Sequence, residues 1–273
     1  MHSHLQDLTR PLALREYLLE IAERRHFLWS LPVAELSSRH FGTFLGTIWL
    51  GLNPLLLLLV YYLVFSVILD VGRGVENFAT FLAIGIFIFH FSQRSVVSSS
   101  SVVRRNLGLM RTVYFPRALL VLAVVLETLL AHLPALGMVL VFAAVTGETP
   151  HWSWLLLVPL TLLQCLFNLG ASFWSARLGE SMPDLVHALP YLFRLLFYGS
   201  GVLYSVEAYV KDPFVLRCFD LNPFYGLVTL ARSIIVVEPV SPVLLLALVS
   251  WTAFLLITGF TAFRRGEPNY GST

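Results

Sequence analysis

Four ionisable side chains lie inside long apolar runs of this sequence, where a charge is costly and marks a candidate functional residue. They are Arg94, Glu127, His132 and Arg194. A guanidinium group presents a fixed fork of donors that can bind two phosphate oxygens at once. We therefore predict that the two arginines face a common vestibule on the cytoplasmic side and attract a phosphate-bearing ligand. The alternative is that each caps helix carbonyls or pairs with an acid such as Glu180 or Asp184.

Catalytic chemistry finds little support in the remaining residues. A phosphate-binding loop needs a Gly-Lys-Ser/Thr step, yet the only lysine, Lys211, follows Val210. A membrane glycosyltransferase or acyltransferase is the enzyme class that remains an alternative. It would need clustered carboxylates or histidines, whereas the sixteen acidic residues are dispersed. Glu127 and His132 are five positions apart, so we predict hydrogen-bonded core roles rather than a proton relay. No metal or catalytic site is expected.

The elements that hold these residues are predicted to be membrane helices. The chain is 57% hydrophobic and 12% charged, with a mean hydropathy of +0.78, and a bilayer crossing needs about 20 apolar residues. Such runs occur at 42–69, 78–103, 118–146, 154–176, 189–206 and 242–263. We predict an all-α membrane protein with six transmembrane helices in a domain over 42–263 and both termini on one side.

The distribution of arginine and lysine orients these crossings. Segment 1–41 has five such residues, 104–117 has four, Arg177 follows the fourth span, and Arg264 and Arg265 begin the tail 264–273. The other side has Arg73, Lys211, Arg217 and Arg232. Cytoplasmic loops carry the excess of positive charge. The richer side, with both termini, is therefore predicted to be cytoplasmic.

Two segments outside the six runs are also expected to be helical. Residues 12–31 place apolar side chains on one face and glutamates on the other, which is typical of an amphipathic helix on the membrane surface or of one packed on a partner domain. In segment 207–241, the apolar stretch 224–237 is too short to cross comfortably. We predict a re-entrant segment in the outer leaflet, whose helix begins at Asn222 and Pro223, since Asn caps and Pro suits the first turn.

The connection 104–117 combines basic residues with ordered apolar ones, Leu107, Leu109, Met110, Val113 and Phe115. The arginines alone are typical of a positive-inside loop, but a loop that only sets topology does not need apolar anchors. Here the sequence resembles the membrane subunits of ATP-binding cassette (ABC) exporters for O-antigen, teichoic acid, capsule and mycobacterial galactan. Further resemblances are Leu45-Gly46 with Trp49 and Asn53-Pro54, Gly85 to Phe91, and Leu221-Asn222-Pro223 followed by Arg232.

The resemblance implies a permease that, as a homodimer with two ABC ATPase subunits, exports a polyprenyl-diphosphate-linked polysaccharide across the bacterial inner membrane. It implies no cofactor in this chain, ATP and magnesium in the ATPase, and no nucleic acid. Export of a drug or lipid is the alternative within transport. It implies that the connection 104–117 is the coupling element that docks on the ATPase. The implied contacts with the ATPase are Arg104, Arg105, Asn106, Leu107, Leu109, Met110, Arg111, Phe115 and Pro116. The diphosphate of the lipid would lie near Arg94 and Arg194, and the candidate channel aromatics are Trp49, Tyr62, Phe87, Phe91, Phe197 and Tyr198.

Overall fold

The computed structural model describes residues 14–24, 29, 32, 49–68, 75–113 and 115–270. Regular structure in these ranges is helical, without a β-strand. The α-helices are α1 (Leu14–Glu23), α2 (Trp49–Tyr62), α3 (Phe78–Ser99), α4 (Val102–Arg105), α5 (Leu107–Thr112), α6 (Ala118–Val145), α7 (Leu157–Ser181), α8 (Pro183–Gly199), α9 (Val206–Tyr209), α10 (Pro213–Asp220), α11 (Pro223–Val236) and α12 (Pro242–Gly266). A π-helical turn, Leu63–Ile68, extends α2, and 3₁₀ turns are formed by Trp152–Leu156 and Glu267–Asn269.

Four helical segments among the described residues are long and apolar enough to cross a membrane. They are Phe78–Ser99, Ala118–Val145, Trp152–Ser181 and Pro242–Asn269. Each overlaps one predicted span, so the expectation of an all-α membrane protein is confirmed for these four. Two shorter apolar helices are Leu55–Ile68 and Pro223–Val236. The predicted first span, 42–69, lies partly outside the described residues, and the count of six remains a prediction.

The helix found at the predicted fifth span begins and ends earlier than predicted and is not among the four described helices that are long and apolar enough to cross. Helix α8 begins at Pro183 and ends at Gly199, whereas the apolar run predicted 189–206. Its first turns carry Asp184 and His187, so they do not register as apolar. The chain then turns at Gly201, whose φ of +61° is a left-handed conformation that glycine adopts without strain.

Helices α3, α6 and α7 alternate in direction, since Asn77 at the start of α3 contacts Thr146 at the end of α6, and Gly179 near the end of α7 contacts Ser100. Helix α12 runs parallel to α7, with Gly259 against Gly170 and Gly266 against Arg177.

At one end of the bundle, which we call the basic end, lie α4, α5, the start of α6 and the turn Glu267–Asn269. There a methyl group at Gly179 of α7 would overlap the carbonyl oxygen of Ser100. The backbones of α7 and of the chain at Ser100 therefore approach closely, which small residues such as Gly179 and Ser100 permit.

Helix α11 begins deep in the bundle and runs to the opposite end. The Phe224 ring contacts Phe89 at a centroid distance of 5.4 Å, and Phe89 lies about 17 Å along α3 from its start. At the other end of α11, the Trp154 indole donates to the carbonyl of Ile235 over 3.0 Å. Asn222 caps this helix by accepting from the Phe224 amide, and Pro223 occupies its first turn. The predicted start of the helix is confirmed.

Candidate coupling surface and membrane cavity

Helices α4 and α5 form a short, kinked element at the basic end. Asn106 ends α4 and precedes α5, and its side-chain amide donates to the carbonyl of Val102 over 2.8 Å. Arg104 donates to the carbonyl of Glu180 over 3.0 Å, and its Nε lies 3.6 Å from the Glu180 carboxylate. These contacts connect the element to the end of α7.

The predicted contact residues of this element divide by exposure. Arg104, Arg105 and Arg111 are exposed, and Asn106, Leu107, Leu109 and Met110 are half-buried. Phe115 and Pro116 are buried, and Phe115 is part of an apolar cluster with the starts of α4 and α6. Phe115 packs inside this chain, so its side chain is not at the surface that a partner would meet. Val113, half of whose surface is exposed, is the apolar residue that the surface offers there.

The N-terminal helix and the C-terminal segment brace the start of α6. The Arg117 amide donates to the Glu267 carboxylate over 2.7 Å, and its guanidinium donates to the Glu267 carbonyl. The Ala118 amide donates to the Tyr17 hydroxyl over 3.2 Å. Burial, followed by the nearby Glu267 charge, raises the pKa of Tyr17, so the hydroxyl stays protonated and can also donate to Glu267. The chain leaving the coupling element is held from both termini.

The apolar face of α1 packs on this chain's own bundle. Tyr17 is buried, and its ring contacts Phe260 of α12 at a centroid distance of 6.1 Å. Glu16 and Glu23 are exposed, as the amphipathic pattern predicts. Residues 25–28 of the predicted helix lie outside the described residues. The predicted amphipathic helix is found over Leu14–Glu23, and its location at a membrane surface remains a prediction.

Arg94 and Arg194 occupy different surroundings. Arg94 lines a cavity of about 320 Å³ between α2, α3 and α6. Arg194, which is exposed on α8, is not among the residues that line it, and its guanidinium lies 5.8 Å from the centre of the Tyr191 ring. The expectation that both arginines face a common vestibule is therefore not supported by this cavity.

The candidate channel aromatics also divide. Phe87 and Phe91 are buried and line the same cavity as Arg94. Phe197 is buried between Tyr61 and Phe89, at ring distances of 5.5 and 5.2 Å. The exposed rings are Tyr62 and Tyr198, and the side chain of Trp49 lies outside the described residues. No residue here is shown to meet a sugar, so the channel assignment stays a prediction.

Known proteins resemble this chain over most of its length. It is 29% identical over 251 residues to the O-antigen export system permease protein RfbA of Myxococcus xanthus, which covers 91% of this chain and 96% of that protein. The chain is therefore similar to an O-antigen export permease over nearly its whole length. Two proteins of the same name from Klebsiella pneumoniae are 29% and 27% identical over 174 residues, which is 63% of this chain and 66% of each of them. No protein-family model matches the sequence.

The relationship to these permeases confirms the resemblance drawn from the motifs. The structure also identifies candidate residues that the sequence did not indicate. His90 lines the Arg94 cavity with His132, and Tyr17, Glu267 and Tyr270 form the brace. The i and i+4 spacing of His90 and Arg94 on one helix could have identified that pair. The other contacts join residues far apart in sequence, and no local pattern marks them.

Proposed function

We propose that this chain is the permease subunit of an ATP-driven exporter that moves a polyprenyl-diphosphate-linked polysaccharide across the bacterial inner membrane. Two copies would act with two separate ABC ATPase subunits. The observation that carries the proposal is the similarity over 91% of the chain to an O-antigen export permease. O-antigen, galactan and teichoic acid all fit this description. The similarity favours this function over a drug or lipid exporter and over a membrane transferase.

The structure supports the proposal through the rigidity of the basic end. ATP-driven motion must enter the membrane domain through a short element that moves as a body. Helices α4 and α5 meet this need because Arg104 ties them to α7, while Glu267 and Tyr17 hold the chain just after them. A displacement of this element would therefore be transmitted to α6, α7 and α12 together. Arg111 and Val113 are among the exposed residues of this element that the ATPase could contact.

Helix α11 supports the proposed re-entrant segment. It begins at the depth of Phe89 and ends beside Trp154, so the helix covers only part of the bundle's depth. We infer that the chain before it enters the bundle from the Trp154 end and that α11 brings it back to that end. The following helix, α12, then runs to the basic end, where Phe263 contacts Tyr270 at a ring distance of 5.0 Å. This alternation agrees with six crossings and with both termini in the cytoplasm.

The docking role is tested by substitutions that reverse or introduce a charge at exposed residues of the element. Arg111→Glu and Val113→Asp should reduce co-purification of a co-expressed candidate ABC ATPase about tenfold, because a charge of the wrong sign or an unpaired charge would enter the interface. Arg217→Glu on α10 is the matched control, since Arg217 is exposed and lies far along the chain from this element.

Phe115→Asp separates docking from folding. Because Phe115 is buried within this chain, the substitution should lower the thermal stability of the purified permease before any partner is added. Undiminished ATPase co-purification by Arg111→Glu and Val113→Asp, at normal abundance, would reject the coupling surface.

A further inference from the structure

A cavity of about 410 Å³, within the size range of small-molecule sites, lies at the end of the bundle opposite the basic end. It is enclosed by the start of α3, the start of α9 and the last turns of α11. Four of its lining residues are the glutamates Glu76, Glu148, Glu207 and Glu238, and the only basic residue of the described lining is Arg232. We call it the acidic cavity.

The strongest hydrogen-bond donors of this lining are used within the protein. The Arg232 guanidinium donates to three backbone carbonyls and lies over the Phe81 ring. The amide nitrogen of Asn77 donates to the side chains of Thr146 and Glu148 over 3.2 and 3.1 Å. A ligand in the acidic cavity would therefore meet mainly acceptor groups.

Ser233 adds a polar group that the protein does not use. This residue lines the acidic cavity and is only 8% exposed. Within the described part of the chain, its hydroxyl has no hydrogen-bond partner, and the oxygen still retains accessible surface. Buried polar atoms are nearly always paired. The hydroxyl of Ser233 therefore indicates a polar ligand in this cavity.

The charge of the lining selects a cation. Glu207 and Glu238 are exposed, and neither forms an ion pair with another described residue. A carboxylate only accepts hydrogen bonds and an ammonium group only donates them, so the two are complementary. A metal ion suits the cavity less well, because a metal needs several ligands around one point. No three histidine, cysteine or acidic side chains in the described ranges are arranged in that way.

We propose that the acidic cavity binds an organic ammonium group, with Glu207 and Glu238 contacting the charge and Ser233 accepting a hydrogen bond. The cavity is large enough for one amino sugar or one ethanolamine headgroup, and both carry a primary ammonium. In the predicted topology it opens on the outer side, where an exported glycan or an outer-leaflet lipid would supply this group. The proposal rests on the proposed export function only for the source of the ammonium.

The test is ligand binding by the full-length chain in lipid nanodiscs, measured by saturation-transfer NMR at low ionic strength. The probes are glucosamine, ethanolamine and glucose, which shares the ring of glucosamine but has a hydroxyl group in place of the ammonium. Glucosamine and ethanolamine should bind, and glucose should not.

Substitutions in the lining separate the charge from the shape of the cavity. Glu207→Gln and Glu238→Gln together should weaken glucosamine binding about tenfold, since an exposed charge pair contributes up to about fivefold. Ser233→Ala should weaken it about threefold through the lost hydrogen bond. Asp184→Asn, which removes a negative charge from an exposed residue at the start of α8, is the matched control and should bind as the unchanged chain does.

The outcomes separate the site from the transport function. Binding of glucosamine or of ethanolamine, without glucose, supports the site, and the preference between them identifies the source of the ammonium. Absence of binding, equal binding of glucose and glucosamine, or equal glucosamine binding by all variants overturns it. Thermal unfolding identifies any variant that fails to fold, in which case the comparison of glucosamine with glucose on the unchanged chain decides. Normal glucosamine binding by a chain that supports no polysaccharide export would count against the proposed function and leave the site standing.

Discussion

At the scale of single residues, Arg232 joins three elements at the end of the bundle opposite the coupling element. Its Nε and Nη2 donate to the Phe81 carbonyl over 3.2 and 3.1 Å. Nη1 donates to Gly201 over 2.9 Å, and Nη2 also donates to Val202 over 2.7 Å. The guanidinium carbon lies 3.2 Å from the centre of the Phe81 ring. Arg232 thus fixes α11 to α3 and to the turn after α8.

Arg232→Lys should destabilise the permease although it keeps the charge. An ammonium group cannot reproduce this planar fork or stack on the ring, and carbonyl oxygens left unpaired cost about 1–3 kcal/mol. We expect the thermal midpoint of the purified chain to fall, together with export. Arg217→Lys, at an exposed position on α10, is the control and should change neither. A midpoint equal to that of the control would show that the fork does not hold these elements together.

Residue types in the sequence identified some of the candidate site, and tertiary contacts supplied the rest. Arg94 stood out because a charge in an apolar run is conspicuous. His90 did not, since a lone histidine in such a run is unremarkable until α6 places His132 across the same cavity. Phe115 was predicted to be a docking residue because the resemblance to polysaccharide exporters implied it. It is buried in a cluster that also contains Phe173 of α7 and Phe263 of α12, which lie far from it in the sequence.

At the scale of elements, the long apolar runs predicted four helices well because a membrane crossing needs a minimum length. Helix α8 was misplaced because its polar first turns lie outside the apolar run. The contact between α7 and α12 was not visible in the sequence. There Gly170 and Gly259 face one another, so that a methyl group at Gly259 would overlap the Gly170 carbonyl oxygen. Small residues at such crossings let membrane helices approach closely.

Gly259→Ala should therefore force α7 and α12 apart. The obstructing atoms belong to the backbone of α7 and cannot rotate away, so we expect a loss of about 1–3 kcal/mol, typical of overpacking. Gly137→Ala on α6 is the matched control, because nothing lies within 4 Å of its added methyl group. Alanine is the better helix former by about 1 kcal/mol. Thermal unfolding should place Gly259→Ala below the unchanged chain and Gly137→Ala at or above it, and the reverse order would contradict the crossing.

At the scale of the whole molecule, α3 lies at the centre of the described helices, with α2, α6, α7, α8 and α11 packed against it. Within an apolar stretch of 18 residues in α3, 72% of the residues are buried inside the chain, compared with 22% in the corresponding stretch of the span that contains α12. Helix α12 therefore exposes most of its surface to its surroundings, whereas α3 carries the polar lining of the cavity. The brace at the basic end connects these two helices through α6, which follows the coupling element directly. The coupling element is thus connected through contacts both to the centre of the bundle and to its periphery.

Topology is the global property that the structure and the charge pattern predict together. Helix α12 ends beside the coupling element, where Glu267 contacts Arg117, and α11 ends beside Trp154 at the opposite end of the bundle. Single cysteines at Trp152 and Lys211, both exposed, should therefore react with an impermeant maleimide from outside the cell, in a chain whose Cys165 and Cys218 are replaced by Ser. Cysteines at Arg111 and after Thr273 should react only after the membrane is opened. The pair at Arg111 and Thr273 decides the case, because a re-entrant α11 keeps them on one side. If the C-terminal cysteine reacts from outside while Arg111→Cys does not, α11 crosses the membrane and the six-helix arrangement is wrong.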